Sequence, residues 1–230
     1  MLGNDVVDLM DRDAQPETFR ARFDERVFAA CERRLIAQAE DPHARRWVHW
    51  AAKEAAFKLA KQVDADFIFA PSKLVAHFTD ASSLGGGRLE RRGLLDLPNG
   101  PLAPGLDVLE LRSEETSEWI HVLALPGGGD WDAVRFAVER IREESGASDV
   151  VRRLAVDGVA RELGIDRDRI SIGRDRRIPT VEVDGERISM ALSLSHHGNW
   201  VACATTLGDS SALQRGPGCA VEATRAGGWV

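Results

Sequence analysis

The sequence predicts a mixed α+β fold built as two halves. Three observations support this: apolar residues at helical spacing occur together with short β-type runs, a glycine-rich stretch at 126–130 interrupts the pattern, and the pattern then restarts. With 230 residues, 43% of them hydrophobic, the chain is long enough to bury a substantial core. We therefore expect α+β halves at 1–126 and 131–207, followed by a flexible tail at 208–230 that is rich in Gly and Ser.

The first half is predicted to contain helices and a set of short strands. Apolar residues recur at helical spacing over 17–40, and Asp41-Pro42 ends that helix. A second helix is predicted over 44–62. The other predicted elements are strands at 3–9, 67–69, 73–78, 106–112 and 119–125, and a hairpin or loop at 80–105.

The second half is predicted to begin with two helices and to end in strands. The helices are expected over 131–144 and 148–163, and Gly164 ends the second one. The predicted strands lie at 169–172, 179–183, 188–195 and 199–206.

Charge and composition argue against several classes of protein. The net charge of −7 and the pI near 5.4 do not favour a general nucleic-acid binder or a protein of anionic membranes. No apolar run approaches the length of a membrane span, and the N-terminus lacks the basic region of a signal peptide. Three scattered cysteines form no CxxC pair, so we expect a cytoplasmic protein without a disulfide framework.

The strongest local motif is WAAKEAAFK at residues 50–58. On a helix, Glu54 and Lys58 are four residues apart and share one face. Taken alone, these two residues favour an exposed ion pair, which stabilises a helix by a few tenths of a kcal/mol, over a functional site.

A second motif, GNDVVD at residues 3–8, places an acid on an apolar strand. Asp5 is costly to bury unless it is paired, hydrogen-bonded or bound to a metal, although it could also cap a turn. Magnesium typically takes one or two protein carboxylates and completes its shell with water and phosphate oxygens. Asp5 and Glu54, with Lys58 one turn further on, would suit a metal-bridged pyrophosphate.

The second half carries polar motifs that suit phosphate groups. Ser195 and His196 follow each other on a predicted strand, so their side chains point to opposite faces and do not form a nucleophile dyad. Hydroxyl and imidazole donors could instead hold a phosphate, as could Arg152 and the arginines at 174–177. A satisfied histidine at a strand end and solvated arginines remain the alternatives.

Together these motifs resemble those of the 4′-phosphopantetheinyl transferase superfamily. GNDVVDL (3–9) is similar to its G-x-D-[IV] strand, and RFDERVFAACERRLI (22–36) to its R-F-x-x-R-[IV]-[FL] helix. WAAKEAAFK (50–58) resembles the W/F-x-x-K-E-[AS]-x-x-K hallmark, and SLSHHGNWVACA (193–204) the S-x-S-H strand pair of the larger, surfactin-type members. The order of the pieces is reversed relative to those members. The resemblance thus implies a pseudo-dimer of two transferase-like α+β halves in circularly permuted order.

The resemblance implies transfer of the phosphopantetheine arm of coenzyme A to a serine of an apo acyl or peptidyl carrier protein, as in a holo-[acyl-carrier-protein] synthase. It implies that Asp5 and Glu54 bind Mg²⁺ and that Glu54 also acts as the base on the carrier serine. Lys58 would steady the pyrophosphate or protonate the leaving group. The implied coenzyme A contacts are Lys53, Arg152, Ser195 and His196.

Two positions depart from the surfactin-type pattern. Val7 stands where those members carry a second acid, so we expect water to complete the metal shell. Ile178 stands where they carry a lysine, and we expect Arg177 or Arg176 to replace it.

The docking of an acidic carrier requires a local basic surface on this acidic chain. The segment from Glu17 to Lys61 contains ten Lys or Arg and seven Asp or Glu, a net of +3. The candidate docking face, which could equally be a solvated helix surface, comprises Arg20, Arg22, Arg26, Arg33, Arg45 and Arg46.

Two other functions stay open at this point. One is a non-catalytic relative that binds coenzyme A or a carrier and regulates another process. The other is a different magnesium-dependent phosphate enzyme, such as a hydrolase. We expect a monomer or weak dimer with no nucleic-acid or membrane partner.

Overall fold

The computed structural model describes residues 1–98, 106–142 and 146–207, and it has a mixed α+β fold. The tail predicted at 208–230 lies outside these residues, as do the ends of the segments predicted at 80–105 and 131–144. The helices are α1 (Phe23–Val27), α2 (Ala30–Gln38), α3 (Pro42–Val63) and α4 (Ala147–Leu163). The strands are β1 (Gly3–Asp8), β2 (Val75–Phe78), β3 (Ser82–Gly85), β4 (Arg88–Asp96), β5 (Val108–Glu115), β6 (Trp119–Pro126), β7 (Val134–Arg140), β8 (Ile170–Asp175), β9 (Ile178–Val183), β10 (Glu186–Arg187), β11 (Met190–His197) and β12 (Trp200–Leu207).

The first part of the chain packs α3 on an antiparallel sheet of order β1-β6-β5-β4-β2, with β3 also paired to β4. Asp41 caps the start of α3 by accepting a hydrogen bond from the Ala44 amide, and Pro42 occupies the first turn. The face of α3 against the sheet is made largely of alanines, which let the helix lie close to β1. The approach is so close that a Cβ on Gly3 would lie 1.9 Å from the carbonyl oxygen of Ala55.

The second part packs α4 on an antiparallel sheet of order β11-β12-β7, while β8, β9 and β10 form a separate small sheet. As predicted, α4 ends at Gly164, which adopts the left-handed conformation of a helix C-terminus. The predicted strands of this part are confirmed with shifts of a few residues at their ends.

Three of the predicted elements are wrong. The helix predicted at 131–144 is strand β7, because its side chains alternate between two apolar clusters: Phe136 packs with Leu123 on one side, and Ala137 packs with Val201 on the other. No strand forms at 67–69, where the rings of Phe67 and Phe69 instead pack at a tilt against Phe57 of α3.

The helix predicted at 17–40 is divided into α1 and α2. Phe28 takes an extended conformation at the end of α1, and this turn buries its ring completely. The Glu32 carboxylate then accepts a hydrogen bond from the Ala29 amide and caps the start of α2. Burial of the Phe28 ring outweighs continuation of the helix.

The two parts meet along the free edge of β1. In the antiparallel pair with β6, alternate amides of β1 point away from the sheet and need acceptors. Side chains of β11 supply them with a matching period of two residues. The bonds run from the amides of Asn4, Val6 and Asp8 to Ser193 Oγ, Ser195 Oγ and His197 Nδ1, at 3.0, 3.2 and 3.1 Å.

An apolar cluster lies beside this hydrogen-bonded edge. Leu123 and Leu125 of β6 pack with Ala204 of β12 and with the partly buried rings of Trp131 and Phe136. None of the helices within the described residues is long and apolar enough to cross a membrane.

The replacement Gly3→Ala is expected to lower the free energy of unfolding by at least about 2 kcal/mol, because the new Cβ would overlap the backbone of α3. Urea denaturation followed by tryptophan fluorescence measures this loss. Gly127→Ala is the control: its Cβ would lie 3.2 Å from the Val108 oxygen, so a loss below about 1 kcal/mol is expected. Equal losses in the two variants would contradict the close approach of β1 to α3.

Candidate active site

Asp5 lies where β1, α3 and β11 come together. Its side chain is buried, and its Oδ1 accepts hydrogen bonds from Lys58 Nζ at 2.8 Å and from Ser195 Oγ at 2.7 Å. Lys58 Nζ also donates to the carbonyl oxygen of Asn4 at 2.9 Å. The Asp5 carboxylate is therefore held by one residue from each part of the chain and carries a paired negative charge.

Glu54 lies one turn before Lys58 on α3, and the negative charge of Asp5 acts on its carboxyl group. Burial and then the nearby Asp5 carboxylate raise the pKa of Glu54 to about 7, while Lys58 opposes this shift. Two acids that are 49 positions apart in the sequence therefore influence each other electrostatically. Such a pair favours either a proton or a cation between its members.

The donor set fits magnesium better than a metal that needs several side-chain ligands. No group of three or more His, Cys, Asp or Glu residues with metal-binding geometry occurs within 1–98, 106–142 and 146–207. Magnesium commonly takes only one or two carboxylates and leaves the other positions to water and substrate phosphates. Asp5 and Glu54 supply two carboxylates, whose oxygen atoms are the kind of ligand that magnesium prefers.

A cleft of about 640 Å³ opens between α3 and the second part of the chain, and Lys58, the partner of Asp5, is in its lining. Among the described residues, no Asp or Glu lines it. Ser148 and Arg152 place the N-terminal turns of α4 at the cleft, where the positive end of a helix dipole favours anions. The cations in the lining are Lys58, Lys61, Arg152, Arg174, Arg176 and Arg177.

A strained turn presents two of these arginines. The hairpin between β8 and β9 turns through Arg176 and Arg177, whose φ angles are 45° and 75°. Turns of this two-residue type usually carry Asn or Gly, because a side chain is disfavoured at positive φ. Residues kept in such conformations are concentrated at functional sites. The turn thus holds Arg176 and Arg177 at the cleft in a conformation that their side chains disfavour.

The structure separates Ser195 from His196. His196 is exposed and lines the cleft together with Ser193. Ser195 is buried, points toward Asp5 and is absent from the described lining of the cleft. The predicted phosphate contact therefore remains a proposal for His196, whereas Ser195 contacts the acid instead.

Lys53 is placed away from the cleft. Its side chain is fully buried, and its ammonium donates to both carboxylate oxygens of Glu32, at 2.8 and 2.7 Å, and to the carbonyl of Leu74. Burial lowers the pKa of Lys53, and the Glu32 charge opposes this shift. An ammonium whose partners all lie in the core is not available to a coenzyme, so the predicted contact is withdrawn. The buried pair instead braces α3 against α2.

The arginines of the predicted docking face differ in their availability. Arg46 donates two hydrogen bonds to Asp24, at 2.9 and 3.0 Å, and it is therefore held against α1. Arg33 and Arg45 are half-buried. The exposed members of the set are Arg20, Arg22 and Arg26.

Several site residues were not singled out from the sequence. Lys61 lies three positions after Lys58 and lines the same cleft, so helical spacing was a usable signal. Ser193 and His197 alternate with the same period as the free amides of β1, but nothing in the sequence shows which strand they face.

Comparison with known families matches only the first part of the chain. Residues 1–79 match the family model of the 4′-phosphopantetheinyl transferase superfamily. This segment contains Asp5, Glu54 and Lys58, and the match relates it to phosphopantetheine transfer in general. No curated protein matches the chain.

Proposed function

We propose that this protein is a magnesium-dependent transferase that moves the 4′-phosphopantetheine arm of coenzyme A to a serine of an apo acyl or peptidyl carrier protein. One observation carries the proposal. Lys58, which lies within the segment that matches the transferase family, both pairs with Asp5 and lines a cleft whose ionisable lining is cationic. An acid pair that suits a metal therefore adjoins a cleft that suits a polyphosphate.

Asp5 and Glu54 would hold the magnesium ion. Magnesium, when bound, supplies positive charge that offsets the two carboxylates and the charge that develops on the transferred phosphoryl group. The pairing with Lys58 and Ser195 holds Asp5 in place before any substrate binds. Val7 is buried in the core under α3 and has no side-chain oxygen to offer a metal. Water and the substrate would therefore fill the other positions around the ion.

The cleft would hold the phosphates of coenzyme A. The pyrophosphate and the 3′-phosphate of this molecule carry several negative charges, which the lysines and arginines of the lining can neutralise. Lys58 and Arg152 face the cleft from opposite sides, and His196 adds an imidazole. We assign the adenosine side to Arg177, which would replace the lysine that surfactin-type members carry at the position of Ile178.

The transfer requires a base, a positioned phosphoryl group and a stabilised leaving group. The carrier serine oxygen would attack the phosphorus that bears pantetheine, forming a new P–O bond as the bond to the adenosine-side phosphate breaks. Glu54, directly or through water, would take the hydroxyl proton, and a pKa near 7 suits that role. Lys58 would steady or protonate the departing adenosine 3′,5′-bisphosphate. No residue of this chain needs to serve as the nucleophile.

We further propose that the two halves, 1–126 and 131–207, form a permuted pseudo-dimer. In the first half, strand β6 lies between β1, the first strand, and β5. In the second half, strand β12 likewise lies between β7, the first strand of that half, and β11. A long helix packs on each of these sheets. Because both sides of the cleft come from one chain, the arrangement supports a monomer or weak dimer.

The direct test incubates the protein with coenzyme A, Mg²⁺ and a panel of apo carriers from fatty-acid, polyketide and peptide synthesis. Mass spectrometry is expected to show a phosphopantetheine gain on at least one carrier. Asp5→Asn and Glu54→Gln are each expected to lower the rate by about 10²-fold or more. Asp13→Asn, an exposed acid outside the site, is the control and should leave the rate unaltered.

Two outcomes of that experiment would replace the proposal with the alternatives. Binding of coenzyme A without modification of any carrier would indicate a regulatory relative. Breakdown of coenzyme A without labelling of a carrier would indicate a hydrolase.

The replacement Arg177→Ala is expected to weaken coenzyme A binding about tenfold, because it removes a charge-assisted contact to a phosphate. Isothermal titration calorimetry gives the dissociation constant. Arg187→Ala is the matched control, since Arg187 belongs to the same small sheet but lies outside the cleft lining. If both variants bind coenzyme A as tightly as the unaltered protein, Arg177 does not contact the phosphate.

Charge reversal at Arg22 and Arg26, both exposed, is expected to raise the apparent KM for an acidic carrier at least several-fold and to leave the KM for coenzyme A unchanged. Arg22 forms a surface ion pair with Glu25, and Arg167 forms one with Asp157 in the second half of the chain. Arg167→Glu is therefore the control, because it likewise replaces a surface ion pair with two like charges. An unaltered KM for the carrier in the double variant would place the docking face elsewhere.

A further inference from the structure

Ser195 joins the two parts of the chain at the acid itself. Its Oγ accepts a hydrogen bond from the Val6 amide at 3.2 Å and lies 2.7 Å from Asp5 Oδ1, and its side chain is buried. A hydroxyl has one proton to donate, and here the only acceptor within reach among the described residues is the carboxylate. The proton of Ser195 is therefore directed at Asp5.

The two donors on Asp5 converge on one of its oxygen atoms. Lys58 Nζ and Ser195 Oγ both contact Oδ1, and among the described residues no donor contacts Oδ2. These two bonds orient the carboxylate, with Oδ1 satisfied by the protein and Oδ2 without a donor in the part of the chain that the structure describes. Fixing a metal-binding carboxylate through such outer hydrogen bonds typically contributes 10-fold to 100-fold in metal affinity.

We infer that Ser195 is a positioning residue that orients Asp5 so that Oδ2 is presented to a divalent cation. The inference rests on the proposed function only in naming Mg²⁺ as that cation. It assigns to the second half of the chain a part in the metal site, although both acids belong to the first half. Since His196, the next residue on β11, lines the cleft, one strand would serve the metal site and the phosphate site from its opposite sides.

Ser193 provides an internal comparison. Its hydroxyl accepts from the Asn4 amide at 3.0 Å, as that of Ser195 does from Val6, and it is equally buried. It makes no contact with Asp5. A role in joining the strands predicts the same effect for Ser193→Ala and Ser195→Ala, whereas a role in orienting Asp5 predicts an effect for Ser195→Ala alone.

The test measures binding of Mn²⁺, as a paramagnetic substitute for Mg²⁺, to the full chain without coenzyme A. Contacts of coenzyme A with the cleft lining, which includes Ser193, then do not enter the measurement. Electron paramagnetic resonance of the free ion gives the dissociation constant. Ser195→Ala is expected to weaken Mn²⁺ binding about tenfold or more, and Ser193→Ala less than about twofold. Ser195→Thr, which keeps the hydroxyl, is expected to restore binding to within about threefold. If Ser195→Ala does not fold, Ser195→Cys, nearly isosteric but a weak donor, must show the same loss.

In the transfer assay, Ser195→Ala is expected to raise the Mg²⁺ concentration needed for half-maximal rate and to leave the KM for the carrier unchanged. Equal losses of Mn²⁺ affinity in the two alanine variants, or none in Ser195→Ala, overturn the inference while the transferase proposal stands. Loss of Mn²⁺ binding in Ser195→Ala from a protein that labels no carrier upholds the inference and overturns the transferase. Absence of Mn²⁺ binding in the unaltered protein overturns the inference together with the metal role of Asp5 and Glu54.

Discussion

The closure of the free edge of β1 by side chains of β11 is the constraint on which the site depends. An exposed strand edge offers amides that must find acceptors, and here two serines and a histidine supply them from a distant segment. The same contact brings Ser195 to Asp5 and sets the second half of the chain opposite α3. The interaction that joins the two halves is therefore also the one that forms the candidate site.

The electrostatics of the site divide cleanly into two regions. Asp5 and Glu54 are largely buried, and six cations among the described residues line the cleft that Lys58 shares with them. Lys58 belongs to both regions. Its charge also acts on the buried His121: burial first, and then the charge of Lys58, lowers the pKa of His121 to about 3. Phosphoryl transfer, the proposed reaction, depends mainly on positioning and on neutralising charge, and these two regions would serve those two needs.

The sequence predicted the elements that local signals define. Pro42 and Gly164 mark helix ends, and α3, α4 and most of the strands follow. The sequence-based prediction failed for β7. The short apolar run there is compatible with both the helical and the strand period, and only pairing with β12 decides between them. Within the site, Glu54 and Lys58 share a face by spacing alone. Lys53 and Ser195 could not be placed, because spacing does not tell which side of a helix or strand is buried.

In the proposed site, two acids distant in sequence meet at one cation beside a phosphate-binding cleft formed by both parts of the chain. A crystal structure of the protein with coenzyme A and Mn²⁺, with anomalous scattering used to locate the metal, tests this arrangement. We expect a metal peak bound by Asp5 and Glu54, with the pyrophosphate between Lys58 and Arg152. A metal bound elsewhere, or coenzyme A outside this cleft, would contradict it.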